Sequence, residues 1–159
     1  MKIKNFLKIK VSFALSTILI FIFFFLIIFL FINIQIQIDD LMVFASGIDL
    51  IKDIKNSQYL AIVKNEPLKF EIENDKFIIS YTKENLIYLN NYPLFKSVNI
   101  EPDGLKFLIK DDGKFEFLTN MNEITLKKEN KIFEFLFKKR FSYKIKLESD
   151  GKIFIEKIK

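Results

Sequence analysis

The sequence predicts an α+β protein, with one long N-terminal helix packed on an antiparallel β-sheet head. Three observations predict it. An apolar run long enough to cross a membrane opens the chain. A stretch with helical spacing follows without a break. The rest alternates apolar and polar residues between Asp-Gly turns.

Residues 1–12 form a short basic leader carrying Lys2, Lys4, Lys8 and Lys10. From Val11 to Ile32 the polar residues are Ser12, Ser16 and Thr17, and Ile18 to Ile32 is unbroken apolar sequence. A membrane-crossing helix needs about 20 such residues. At roughly −0.3 to −0.6 kcal/mol per central apolar residue, this run favours insertion by about 5–9 kcal/mol. Residues 13–36 are therefore read as a transmembrane helix. The lysines precede it and Asp39-Asp40 follow it, so the positive-inside rule places the leader in the cytoplasm and the C-terminal domain outside. A cleaved secretory signal is the competing reading. Its apolar region normally spans only about 7–15 residues, and the nearest small-residue site, Val43-Phe44-Ala45, lies beyond both aspartates.

Residues 37–66 are read as an amphipathic stalk helix continuing the span. Leu41, Phe44, Ile48, Ile51 and Ile54 recur at three and four residues, and are expected to cover the sheet. Asp40, Ser46, Asp49, Lys52, Asp53 and Lys55 fall largely between them. Gly47 is a candidate bend, and Pro67 ends the helix.

Residues 67–159 are read as a meander of strands. Alternation marks Phe70 and Ile72, then Phe77, Ile79 and Tyr81, with Asn74-Asp75 between them. It returns at Phe115 and Phe117, at Ile124 and Leu126, and at Phe133, Phe135 and Phe137. Tyr143, Ile145 and Leu147 follow, then Ile153 and Ile155. Asp103-Gly104, Asp112-Gly113 and Asp150-Gly151 are hairpin signals, because glycine accepts the positive φ that such turns need. No internal repeat or low-complexity linker is evident in the sequence.

Composition narrows the function. The chain has no Cys and no His, which removes thiol nucleophiles, cysteine-based metal sites and histidine bases. Without the four leader lysines, 21 basic residues nearly balance 20 acidic ones. Lys138-Lys139-Arg140 is the one tight basic cluster and reads as a solvated turn. No nucleic-acid partner is expected from this charge. No cofactor, metal or small-molecule substrate is expected either.

The layout resembles type IV pilins and the pseudopilins of type II secretion and DNA-uptake systems. The carrying stretch is Val11-Ser12-Phe13-Ala14-Leu15-Ser16-Thr17 at the start of the apolar run. The resemblance implies cleavage after Ser12 by a prepilin peptidase and N-methylation of Phe13. It also implies assembly with other pilin-like subunits rather than catalysis. Ser12 stands where the family usually has Gly, and Thr17 where it has Glu. A subunit without that Glu suits a minor or tip position, and the order of stalk helix, hairpin and strand series, with polar stalk residues near Lys55–Gln58 and a final hairpin at Asp150-Gly151, is similar to the H-type minor pseudopilins. The alternative is a single-pass envelope protein whose extracytoplasmic β-domain binds a partner. A membrane-tethered hydrolase is a third reading.

Other candidate chemistry has plainer readings. Asp39-Asp40 mark the membrane boundary or bind a cation. Asp111-Asp112-Gly113 is a hairpin turn or a fragment of a calcium loop. Glu71, Glu116, Glu134 and Glu148 are solvent-facing strand residues or members of a carboxylate pair. Phe23, Phe24, Phe25, Phe29 and Phe31 face lipid or a neighbouring helix. Tyr88, Tyr92 and Phe95 flank Pro93 in a connection or a recognition loop.

Overall fold

A computed structural model describes residues 2–73, 76–81, 87–88, 98–128 and 141–158. The chain divides into two compact units, Met1–Ile38 and Asp39–Lys159. The helix α1 runs from Lys2 to Lys64 and contributes to both.

In the first unit α1 is apolar on all sides from Ile18 to Phe31. Every large hydrophobic residue from Phe13 to Phe31 that the structure describes is exposed, from 39% at Ile28 to 74% at Phe13. A helix with no polar face and no protein cover fits a membrane anchor.

The second unit begins at Asp39 with the remaining part of α1. The helix stops at a Schellman-type end: the Asn65 N–H donates to Ile62 O (3.2 Å) and the Glu66 N–H to Ala61 O (3.1 Å). Asn65 takes the left-handed conformation, with φ 52°. Asparagine tolerates that conformation better than most residues do, so the ending is local, and Pro67 follows it.

Nine described strands form two antiparallel sheets: β1 (Leu68–Glu73), β2 (Lys76–Tyr81), β3 (Ile87–Tyr88), β4 (Asn99–Glu101), β5 (Lys106–Ile109), β6 (Phe115–Phe117), β7 (Glu123–Lys128), β8 (Phe141–Leu147) and β9 (Ile153–Lys157). One sheet has the order β3-β2-β1-β5-β6 and the other β4-β7-β8-β9. This corrects the expected single meander. β1 pairs on both sides, with β2 and with β5, and β4 belongs to the second sheet. The Asp103-Gly104 turn therefore carries the chain between sheets instead of closing a hairpin. The Gly104 N–H donates to Ile72 O at 2.9 Å. Phe133, Phe135 and Phe137, the Asn74-Asp75 turn, Tyr92, Pro93, Phe95 and the Lys138-Lys139-Arg140 cluster lie outside the described residues.

The other two Asp-Gly turns do close hairpins, and they are built alike. Lys110 N–H donates to Lys114 O (2.8 Å) and Gly113 N–H to Lys110 O (2.9 Å). Glu148 N–H donates to Lys152 O and Gly151 N–H to Glu148 O, both at 2.9 Å. Gly113 and Gly151 have φ of 80° and 92°. In each turn the following lysine bonds the aspartate through both its backbone N–H and its Nζ. The likeness is confined to these turns and their Asp-Gly-Lys triplets.

Alternation puts Leu68, Phe70 and Ile72 of β1, Phe107 and Ile109 of β5, Ile124 and Leu126 of β7, and Ile145 and Leu147 of β8 in the core, each at most 1% exposed. Phe70 and Phe107 stack at 4.7 Å between centroids, and Phe115 meets Phe107 edge-on at 5.4 Å. A backbone bond joins the sheets, Phe115 N–H donating to Ser149 O at 3.2 Å, and the Leu147 N–H bond to Asn122 O (2.9 Å) extends the β7–β8 ladder.

Candidate functional site

The residues expected to be processed sit on the exposed apolar part of α1. Phe13 is helical and 74% exposed. Its carbonyl accepts from Ser16 Oγ at 2.8 Å and from Thr17 Oγ1 at 2.9 Å. Thr17, at the position where the resembled family carries a carboxylate, thus satisfies its hydroxyl within its own helix. Ser12 is helical, and its side chain lies outside the described residues.

In the second unit the helix buries a different face from the one its apolar spacing predicts. Val43, Leu50, Ile54 and Ala61 are fully buried, together with Asp39, Ser46, Asp53 and Ser57. At about 100° per residue these positions form one stripe. Of the five residues expected to cover the sheets, only Ile54 belongs to it. Leu41 is 65% exposed, Ile48 43% and Phe44 38%, and Ile51 is half-buried. Both stripes have three- and four-residue spacing, so periodicity alone does not choose between them. Close approach does. The buried stripe carries Ser46, Ser57 and Ala61, with Gly47 beside it. A Cβ on Gly47 would lie 2.8 Å from Ile155 Cδ1 and 3.3 Å from Leu126 Cδ1. Gly47 therefore serves packing, and the helix runs through it without interruption.

The polar members of the buried stripe are mostly satisfied. Ser46 Oγ donates to Met42 O (2.9 Å) and Ser57 Oγ to Asp53 O (2.8 Å). Asp39 is paired with Lys128 Nζ at 2.6 Å, and the same ammonium lies 3.5 Å from Met42 Sδ. Asp40 binds Lys157 Nζ and accepts from Tyr143 Oη at 3.3 Å. The bond to Asp40 raises the Lys157 pKa, and burial followed by the Asp40 charge raises that of Tyr143. Phe44 packs on the Tyr143 ring at 5.4 Å. The two carboxylates read as boundary markers are thus helix-to-sheet fasteners on β7, β8 and β9.

Asp53 is the exception. It is 8% exposed, and its Oδ2 has no hydrogen-bond partner. Burial raises its pKa, Asp49 raises it further, and Lys52 opposes them.

Of the candidate strand carboxylates, Glu71 and Glu116 are engaged in ion pairs. Glu71 binds Lys106 and Lys69, which lower its pKa, and Glu116 pairs with Lys110 at 3.0 Å. Glu134 lies outside the described residues. Asp112 is held in its turn by Lys114 at 2.7 Å. Among the described residues no three His, Cys, Asp or Glu side chains form a group able to hold a metal ion.

Sequence reasoning placed Gln58 among the polar residues of the stalk and gave it no role. Its Nε2 donates to Gly113 O at 2.7 Å and to Gly151 O at 2.9 Å, so it holds one hairpin turn from each sheet. The one signal for this was a polar residue beside the small-residue stripe.

No known family, curated protein or solved structure matches this chain.

Proposed function

We infer that the chain is a membrane-anchored assembly subunit of the pilin or pseudopilin kind, working by packing rather than by catalysis. The observation that carries this reading is the two-faced helix of the second unit. One face is already sated against the sheets. The other leaves Leu41, Ile48, Tyr59 and Ile62 at 65, 43, 67 and 51% exposure. Apolar residues on an otherwise satisfied helix favour a protein neighbour over water. On this reading the leader is cytoplasmic, the β-domain is outside, cleavage follows Ser12, and Phe13 becomes a methylated N-terminus. The partners are a prepilin peptidase and other subunits of the same kind.

The test is the intact mass and N-terminal sequence of the protein from its host's membranes. A chain beginning at N-methylated Phe13 is expected, and Phe13→Asp should abolish processing. A chain beginning at Met1 would reject this reading.

The bonding of Thr17 favours a second reading, a permanently anchored envelope protein. With no carboxylate at that position, a freed amine at Phe13 would lack the family's counter-charge, and such a charge is costly in lipid.

A further inference from the structure

The outward face of α1 in the second unit has a repeat of its own. Leu41, Phe44, Ile48 and Ile51 follow one another at three, four and three residues, and Lys55, Tyr59 and Ile62 carry the row on at four, four and three. The mean step is about 3.5 residues, the heptad period of a coiled-coil seam. Leu41, Ile48, Lys55 and Ile62 hold one of its two positions, and Phe44 and Ile51 the other. Gln58 comes next in that second series, but its amide is turned in to Gly113 and Gly151, and Tyr59 fills the row instead. Every member of the row is exposed except Ile51, which is half-buried. At about 100° per residue the row is centred about 150° around the helix from the stripe that meets the sheets, so the sheets do not cover it.

A row with this spacing is matched by another helix, since a strand or an irregular loop has no such period. Among the described residues α1 is the one helix, so the matching seam that the chain itself supplies is the α1 of a second copy. Two copies anchored in one membrane by the same apolar span point the same way. A two-fold axis along the membrane normal then sets identical rows face to face. The area suffices: Leu41, Phe44, Ile48, Tyr59 and Ile62 expose on the order of 600 Å² per copy, so a pair buries about 1,000 Å², the threshold of a specific interface. Confinement to one membrane raises the effective concentration of the second helix and offsets the modest area. Lys55 fixes the number of strands. Between two helices its stem packs in the seam while its ammonium leaves sideways to water, whereas three or more helices would enclose the charge.

We propose that the Leu41–Ile62 face of α1 is the seam of a parallel, in-register, two-stranded coiled coil between two copies of this chain. The proposal rests on the assembly reading for its free helix face and names what fills that face. It needs neither cleavage after Ser12 nor methylation of Phe13. In-register pairing sets Leu41 and Ile48 each opposite its own counterpart. A neighbour staggered along the helix brings unlike residues together instead.

The chain has no cysteine, so one introduced thiol reports on one position. Leu41→Cys and Ile48→Cys, each in the full chain in its host's membranes, are oxidised with copper phenanthroline. Thiols set opposite each other lie within disulfide reach. Both variants should give covalent dimer roughly tenfold faster than Asn56→Cys, which is exposed but lies about 100° around the helix from the seam. Adding Ile48→Lys to Leu41→Cys should cut the dimer by roughly tenfold. Leu41, Ile48 and Asn56 are all exposed, so these variants keep the fold. Three results overturn the proposal. One is equal dimer from Asn56→Cys. Another is no dimer at either seam position although maleimide labels the thiols, which would give the face to lipid or to other residues of this chain. The third is cross-linking only when the Leu41→Cys and Ile48→Cys chains are mixed, which would make the neighbour staggered by one heptad. The intact mass of the same bands separates this proposal from the assembly reading. A dimer of chains beginning at Met1 rejects the processing and keeps the pairing, and chains beginning at Phe13 without dimer do the reverse.

Discussion

Gln58 and Gly151, 93 residues apart, meet through a 2.9 Å bond from the glutamine Nε2 to the glycine carbonyl. The same nitrogen reaches Gly113 O at 2.7 Å. A Cβ on Gly151 would sit 2.8 Å from Gly113 O and 3.1 Å from Nε2. The two turns therefore approach as closely as backbone allows, and Gln58 closes the contact from the helix.

Replacing Gln58 with Leu should destabilise the second unit by about 2–3 kcal/mol. Two partly buried carbonyls lose their donor, and each such loss costs about 1–3 kcal/mol. Urea unfolding in micelles should show a lower midpoint with an unchanged slope. Gly151→Ala should cost more than Gly104→Ala. Both positions have positive φ, but a Cβ at Gly104 meets nothing within 4 Å. Equal costs would mean that the two turns are not pressed together.

The long helix, six of the nine described strands and two of the three glycine turns were legible because each rests on local periodicity or turn chemistry, whereas β3, β4 and β5 were not read. The partition into two sheets was not. β1 takes β5 as its second neighbour, and nothing local in Leu68–Glu73 encodes a strand some 35 residues on. The buried helix face was misread for a related reason. Hydrophobicity ranks Ile48 above Ser46, but the space between helix and sheet admits serine, alanine and glycine there. The tie made by Asp39 was not legible because its partner, Lys128, is distant in sequence and joins it only after folding.

That ion pair gives a second prediction. The Asp39 side chain is 1% exposed and that of Lys128 13%. Breaking a buried pair from one side leaves an uncompensated charge, at about 3–5 kcal/mol. Lys128→Met should therefore be strongly destabilising. Adding Asp39→Asn should recover much of the loss. The double-mutant cycle on unfolding free energies measures the coupling, and an additive result would remove the pair from the account of stability.

Gly47 tests the packing of helix on sheet. Alanine adds about 1 kcal/mol of helix propensity, and the atom its Cβ meets is the mobile end of Ile155. Gly47→Ala should be close to neutral. Gly47→Val should cost about 1–3 kcal/mol by overpacking against Leu126 and Ile155, and Ile155→Val should relieve part of it. Thermal unfolding of the four variants decides this. A neutral valine would mean that the helix lies further from the sheet than the structure has it.

Asp53 sets a pH dependence whose sign follows from its burial. Its pKa is raised in the folded protein, so the folded state binds the proton more tightly than the unfolded chain does. Above the folded pKa the ionised carboxylate destabilises the fold. The penalty fades as pH falls through the folded pKa, and it is gone below the unfolded one. Glu71 acts oppositely. Its pKa is lowered by Lys106 and Lys69, so its contribution is present above the unfolded pKa and is lost as pH falls through the folded one. Asp53→Asn should therefore raise stability at pH 7 by about 1 kcal/mol, the lower end of what an unsatisfied buried polar group costs. The gain should shrink on acidification, because the wild-type carboxyl becomes neutral as well. Unfolding free energies of both proteins across the acidic range test this. A gain independent of pH would assign the effect to packing rather than to the charge of Asp53.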